Sequence, residues 1–282
     1  MTWALIAVGV ILILALLYWQ LVIAEGAYLG ARAVTLLYDL SARSYDKIKH
    51  FQKKYEKFFL GQPLSQALAQ IPHPLVLDVA TGTARLPRTL FDDGDFQGRV
   101  IGLDYSRKML REAVRRTTPW SDQITFVWKD ASELPFPDAT FEAVTCLEAL
   151  EFMPDIEQAV SELVRVLRPG GILLTSNRIG NLAPLLPGRT YDKDAFEALL
   201  REHGLEMIRT RVWQEDYDLV WARKSGVMRS ILEQRGWAEV LRCPQCGEPL
   251  VPTSAYVICE QEHAFPIAED SVIELERRVE VV

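Results

Sequence analysis

Two carboxylates interrupt or close short apolar runs in the middle of this chain. Asp78 lies within Leu75-Val-Leu-Asp-Val79, and Asp104 ends Val100-Ile-Gly-Leu-Asp104. Between them Ala80-Thr-Gly-Thr-Ala84 reads as a glycine turn that opens a helix near Arg85. In a doubly wound sheet such a turn lets the backbone approach an adenosyl ligand. A carboxylate ending the second strand then accepts the ribose hydroxyls. A dinucleotide would call for G-x-G-x-x-G, with its pyrophosphate on the helix N-terminus. This turn has one glycine where that pattern has three, and Asp78 would repel a pyrophosphate. The same charge suits a cation, and S-adenosylmethionine, with a sulfonium, an ammonium and no phosphate, is one. An acid ending an apolar strand is costly without a partner, which favours a ligand role for Asp104. The plainer reading of Asp78 and Asp130 is a helix or turn cap.

A second constellation lies near the C-terminus. Cys243-Pro-Gln-Cys246 is followed by Cys259 and His263 in the pattern C-x2-C-x12-C-x3-H. Two pairs of ligands on two turns suit tetrahedral zinc, with Pro244 and Gly247 fitting a tight first knuckle. Four protein ligands leave no open coordination position, so the expected metal is structural. The alternative is four unrelated thiol and imidazole groups.

In order along the chain stand Asp78-Val-Ala-Thr-Gly-Thr83, Gly102-Leu-Asp-Tyr-Ser106 with Met109-Leu, and Lys129-Asp-Ala-Ser-Glu-Leu-Pro-Phe136. Phe141-Glu-Ala-Val144 and Val166-Leu-Arg-Pro-Gly-Gly-Ile-Leu-Leu174 follow. With these motifs the region from about Tyr38 to Lys224 resembles the class I S-adenosylmethionine-dependent methyltransferases, particularly those that methylate quinone precursors and other small or lipidic acceptors. The resemblance implies a Rossmann-like α/β sheet of seven strands in the order 3-2-1-4-5-7-6. It implies that Asp78 and the Ala80, Thr81 and Gly82 backbone hold the methionine moiety, and that Asp104 takes the ribose with Tyr105 against the adenine. Asp130 and the Ala131 N–H would meet the adenine edge, and Met109 and Leu147 would complete the cofactor site. Where this family usually carries glycine, the chain carries Ala84, which is free of strain only with right-handed helical angles. Related enzymes often place histidine where Phe152 stands. The remaining candidates for a base are Glu148 and Glu151, which could instead simply begin a helix. The C-terminal pattern, with Ala264-Phe-Pro-Ile267, is similar to the zinc ribbon of certain ribosomal-RNA guanine methyltransferases, although there it precedes the catalytic domain.

These groups need elements to carry them. The alternation of apolar runs and amphipathic stretches predicts strands near 75–79, 99–103, 124–128, 142–146 and 171–176, with helices near 84–93, 106–117 and 155–167. Tyr191–His203 reads as the last helix, and His203 as a cation suited to its C-terminus. Glu206–Trp213 and Tyr217–Arg223 read as a closing antiparallel pair. Residues 25–70 show helical periodicity, and by resemblance Leu37–Asp46 is an entry segment that closes over the cofactor. Asn181–Gly188 is apolar and rich in breakers, as a lid over an acceptor or a plain loop would be. Cys146 reads as a small core hydrophobe. The expected domains are an anchor at 1–24, the entry segment at 25–70, the catalytic domain at 71–224, a helical linker at 225–241 and the zinc module at 242–282.

Trp3–Ala24 contains one polar residue, Gln20, and no charge. As a helix it spans about 33 Å against a bilayer core of about 30 Å, with Trp3, Tyr18 and Trp19 near its ends. No base precedes it, whereas Arg32, Arg43, Lys47, Lys49, Lys53, Lys54 and Lys57 follow. The positive-inside bias then sets the N-terminus outside and the catalytic domain in the cytoplasm. A cleaved signal peptide, with a basic start and a shorter apolar core, and a buried core helix are the competing readings. The formal net charge of −7 argues against a broad nucleic-acid surface. Three of the four cysteines lie in the C-terminal cluster, which does not resemble a secreted disulfide framework. The expectation is a membrane-anchored methyltransferase acting on a small hydrophobic or lipidic acceptor. An RNA methyltransferase guided by its ribbon, or a non-catalytic scaffold whose ribbon binds a protein partner, are the alternatives.

Overall fold

The computed structural model describes residues 2–92, 94–229 and 231–280. Leu75–Val79 forms β1, buried along its whole length, as a central parallel strand covered on both faces must be. It pairs in parallel with β2 (Arg99–Asp104) on one side and β4 (Phe141–Cys146) on the other. β3 (Ile124–Trp128) flanks β2, and β5 (Leu167–Arg178) flanks β4. The antiparallel strands β7 (Tyr217–Lys224) and β6 (Leu205–Val212) close that edge. This is an α/β Rossmann-like architecture with a mostly parallel sheet. Seven of its strands run in the expected order 3-2-1-4-5-7-6, and the count differs because an eighth strand from the C-terminal segment, β11 (Ile273–Glu274), pairs in parallel with β3 and extends that edge. That strand covers an edge that would otherwise present unpaired backbone groups.

The covering helices begin where their caps stand. α7 (Arg107–Thr117) starts after Ser106, whose hydroxyl accepts from the Met109 N–H. α8 (Ile156–Val166) and α9 (Lys193–Glu202) start after Asp155 and Asp192, which accept from Gln158 and Ala195. Each cap satisfies an N–H that the helix itself cannot. α6 (Arg85–Phe91) is the exception, entered from the left-handed Ala84 with no side-chain cap.

Ahead of the sheet, α1 (Thr2–Tyr18) runs into a wider turn at Trp19–Ile23. Together they make a 22-residue helix of mean hydropathy 2.6, long and apolar enough to cross a membrane. Its side chains are almost all exposed, so it is not a core helix. The helical expectation for 25–70 is met as a broken series: α2 (Ala31–Ser41), α3 (Tyr45–Ile48), α4 (Lys53–Glu56) and α5 (Gln62–Leu68).

The expected helical linker at 225–241 is corrected. Among the described residues, only α10 (Trp237–Val240) is helical there. Gly226 takes a left-handed φ of 109° against Pro169, and Arg235 is drawn out to the Thr140 carbonyl and the Glu142 carboxylate. β8 (Val251–Pro252), β9 (Tyr256–Ile258) and β10 (Ala264–Pro266) form a small antiparallel sheet. Leu241, Val257, Phe265, Ile273 and Leu275 join the same apolar core as Leu77, Val127 and Leu134. Arg107 reinforces that junction, bridging Asp270 at 2.6 and 2.9 Å and Glu274 at 2.8 Å.

Candidate functional site

The carboxyl ends of β1, β2 and β4 meet at the glycine turn. Asp78 is buried, and its two oxygens accept from the Thr81 and Thr145 hydroxyls at 2.6 Å each. Asp104 accepts from the Gly82 N–H at 2.8 Å and the Ser106 N–H at 2.7 Å. A carboxylate has about four lone-pair sites, so both acids keep acceptor capacity after these bonds. Two further turn amides are engaged: Thr81 N–H donates to the Leu103 carbonyl and Ala84 N–H to the Thr81 carbonyl.

The turn is held in the left-handed region at Ala80 (φ 54°), Gly82 (φ 55°) and Ala84 (φ 61°). Right-handed angles at Ala84 are thereby ruled out. A residue with a Cβ costs about 1–2 kcal/mol there, and the Ala84 methyl is fully buried against the core.

From this turn a cleft opens along the strand tips. Ala80, Gly82, Asp104, Tyr105, Asp130, Ala131 and Leu147 line it, as do Glu148, Phe152 and Met153 on the far side. The entry segment forms its roof with Ala31, Val34, Thr35, Tyr38 and Tyr45, and Tyr38 meets Phe152 edge-on at 5.8 Å. Asp78 and Thr81 lie in an adjoining recess that shares Tyr45, Ala80, Gly82, Leu147 and Glu148 with the cleft. Met109 is buried and does not line the cleft. Glu151 faces a separate small cavity, where it accepts from the Tyr217 hydroxyl and lies 3.6 Å from Arg178. His203 sits at the end of α9, 3.3 Å from the Glu157 carbonyl, and Cys146 is buried in the core.

The back of the recess is ionic. Arg85 makes a two-pronged bond to Glu56, at 2.6 and 2.8 Å, and a third bond to Glu148. Its guanidinium lies 4.0 Å from the Phe51 ring centre and 4.6 Å from that of Trp213. Gln214 donates to Glu148 at 2.8 Å, and Lys49 approaches both Glu148 and Glu25. Three carboxylates therefore share two cations, leaving the wall with surplus negative charge. Burial alone would raise the Glu148 carboxyl, but Arg85 and Lys49 outweigh it and hold it below the usual range. Burial raises Glu56 and Glu151 despite their hydrogen bonds.

This wall was not anticipated from the sequence, although one signal was there. Arg85 is the first residue of α6, where the helix dipole disfavours a cation and nearby acids offset it.

Burial pushes Asp78 and Asp104 each up to about 6 against the hydrogen bonds that favour ionisation. An acid raised in the folded chain keeps its proton there longer than in the unfolded chain. Stability therefore falls as pH rises from the ordinary aspartate value towards 6, and levels off above it. A bound cation favours the ionised pair. Affinity for a cationic ligand should accordingly weaken as pH drops through 6, by up to about tenfold per unit for each acid. Titration calorimetry of S-adenosylmethionine between about pH 5 and pH 7.5 checks this; affinity that is flat or improves on acidification would contradict it.

The Asp130 side of the cleft is braced from the C-terminal segment. Glu276 accepts from the Asp130 N–H at 3.0 Å and from the Lys129 ammonium at 3.1 Å, while Asp130 itself caps the Ser132 N–H. Nothing in the sequence pattern linked Glu276 to this loop. Further along the same segment, the donor atoms of Cys243, Cys246, Cys259 and His263 lie within 4.8 Å of one another. Cys246 and Cys259 sulfurs are 3.6 Å apart, and Cys243 Sγ is 3.5 Å from His263 Nδ1. Tetrahedral zinc–sulfur bonds of about 2.3 Å give sulfur–sulfur edges of about 3.8 Å, so this donor set fits zinc in both type and spacing.

Residues 77–175 match the family model described as a methyltransferase domain. Among curated relatives, the chain is 37% identical over 144 residues to a demethylmenaquinone methyltransferase of Symbiobacterium thermophilum, covering 48% of this chain and 55% of that protein. It is 34% identical over 144 residues to one from Thermobifida fusca, covering 51% and 60% respectively. The chain spans about half the length of the curated relatives it matches. Among solved structures, a SAM-dependent methyltransferase from Aquifex aeolicus superposes with a TM-score of 0.52 at 17% identity, covering 66% of this chain and 97% of that one. That likeness concerns the fold. The chain thus carries a methyltransferase domain on a Rossmann-like α/β sheet.

Proposed function

We propose that this chain moves a methyl group from S-adenosylmethionine to a small hydrophobic or lipidic acceptor of the quinone type at a membrane surface. One observation carries the choice of ligand. The Thr81, Gly82 and Ala84 amides of the turn all donate to protein acceptors, and Asp78 and Asp104 stand beside them. A pyrophosphate would find acids where it needs free N–H donors, whereas a sulfonium and an ammonium find complementary charge.

When bound, the cofactor supplies a methyl carbon already activated by its positive sulfur. In this reading the chain's own residues bind and orient. Asp78 takes the ammonium beside the Ala80–Gly82 backbone, and Asp104 accepts the ribose hydroxyls. Tyr105 and Leu147 flank the adenine, with Asp130 and the Ala131 N–H at its edge. Met109 supports the start of α7 from beneath and makes no ligand contact. Glu148, kept ionised by Arg85 and Lys49, complements the cation and faces the acceptor side. Its lowered proton affinity makes it a weak general base. Glu151 acts as a positioning residue, through Tyr217 and Arg178.

The curated relatives' names support a quinone-type acceptor, and the exposed apolar helix ahead of a basic segment supports an anchor with the catalytic domain in the cytoplasm. Methyl-labelled cofactor supplied to the purified full chain with separated lipid and RNA fractions should label the lipid. Label in RNA would favour a ribbon-guided RNA enzyme. No transfer despite intact cofactor binding would favour a scaffold.

We further assign Cys243, Cys246, Cys259 and His263 to one structural zinc. Elemental analysis should give one zinc per chain, lost in the Cys243→Ser, Cys246→Ser double variant. That variant should also bind cofactor more weakly, because the segment that carries the ligands continues into Glu276 at the Asp130 loop. Unchanged metal content in the double variant would refute the assignment.

A further inference from the structure

The two faces of α2 have different neighbours. Ala31, Val34, Thr35 and Tyr38 recur at helical spacing and roof the cleft. The other face presents Leu36 and Leu40, which are 59% and 74% exposed, with Arg32 and Arg43 in the same stripe. Exposed leucines flanked by bases, on a helix whose inner face covers a site, are the pattern of an interfacial helix lying in a headgroup layer. The charges of this segment are sorted by direction. Its acids turn inward: Glu25 to Tyr38, Asp39 to Ser106, and Asp46 to Thr83 and Arg88. Arg32, Arg43 and Lys47 are exposed and, among the described residues, make no ion pair. The outward face is therefore basic as well as apolar.

The foot of the apolar N-terminal helix is fastened to the 181–188 loop. Trp19 Nε1 donates to the Leu185 carbonyl at 2.9 Å, and Tyr28, stacked on Trp19 at 5.1 Å, donates to the Pro187 carbonyl at 2.9 Å. Arg189 joins the two parts, donating to the Ala27 carbonyl and to the carbonyl of Met153, which lines the cleft. Leu182 and Leu185 remain exposed on that loop.

We propose that the outer stripe of α2 and the 181–188 loop form a rim seated in an anionic lipid leaflet, so that the cleft opens to the membrane and a lipidic acceptor enters without crossing water. This rests on the anchored reading of α1. Trp19 and Tyr28 fix the rim at the level where that helix leaves the bilayer. The basic outer stripe selects negatively charged headgroups. The occupant is lipid; a second copy of the chain is an outcome that the test separates.

The test uses the full, zinc-loaded chain with an environment-sensitive fluorophore on Leu36→Cys or Leu40→Cys, with Met207→Cys on the exposed face of β6 as the aqueous control. The unsubstituted chain carried through the same labelling gives the background from its own cysteines. With vesicles rich in phosphatidylglycerol, the labels at 36 and 40 should shift to the blue and be quenched by lipids spin-labelled near the headgroup, while 207 stays aqueous. Arg32→Glu with Arg43→Glu should reduce the shift at least severalfold, as should purely zwitterionic vesicles. A chain that floats with vesicles while both labels stay aqueous overturns the rim and leaves the anchor standing. A chain that does not float overturns the anchor, and the rim with it. A blue shift that grows with protein concentration without vesicles assigns the stripe to self-association and also overturns the proposal.

Discussion

Replacing Asp104 with alanine is expected to lower cofactor affinity by at least about a hundredfold. The carboxylate holds the Gly82 and Ser106 amides in place and, in the proposed reading, also accepts the ribose. Hydrogen bonds to a charged group are worth about 1.5–3 kcal/mol each, and about 1.4 kcal/mol is tenfold in affinity. Asp104→Asn keeps one acceptor oxygen and should fall between the two. Calorimetric titration with adenosylhomocysteine measures the loss, with circular dichroism to verify that each variant is folded. A folded alanine variant that binds as well as the parent chain would remove Asp104 from the site.

The second large effect is on stability. Arg85→Met should destabilise the chain by about 3–5 kcal/mol, because it leaves Glu56 and Glu148 buried with little compensation. For a domain of this size that corresponds to a fall in melting temperature of about 10 °C. Adding Glu56→Gln should recover part of the loss, since one of the two abandoned charges is then gone. A melting temperature within a degree or two of the parent chain would show that Lys49 and Gln214 suffice to hold the wall, contrary to the geometry described above. Thermal unfolding followed by circular dichroism decides between these outcomes.

How far the sequence could be read depended on the range of the interactions involved. β1, with both faces covered, is a continuous apolar run, and its acid interrupts that run visibly. The helices α7, α8 and α9 carry their capping residues at their predicted starts, so local chemistry located them to within one or two residues. The C-x2-C-x12-C-x3-H spacing foreshadowed a cluster whose donor atoms do converge. What escaped was non-local. β11 is two residues long and pairs with a strand nearly 150 positions earlier, so no periodicity could announce it. Glu276 reaches Asp130 for the same reason. Ala84 misled in another way: alanine in a chain gives no sign of the left-handed angles it adopts here. Glu151, three residues from Glu148, looked equivalent on paper, yet the left-handed backbone at Glu148 (φ 53°) separates the two side chains into different cavities.

The acids and the engaged amides at the strand tips suit a positively charged sulfur donor and not a pyrophosphate. Parallel calorimetric titrations of the full chain with S-adenosylmethionine, adenosylhomocysteine and NAD at neutral pH measure this preference. Saturable binding of the first two is expected, with none of NAD at concentrations that saturate the others. Binding of NAD together with exclusion of both adenosyl sulfur compounds would contradict it.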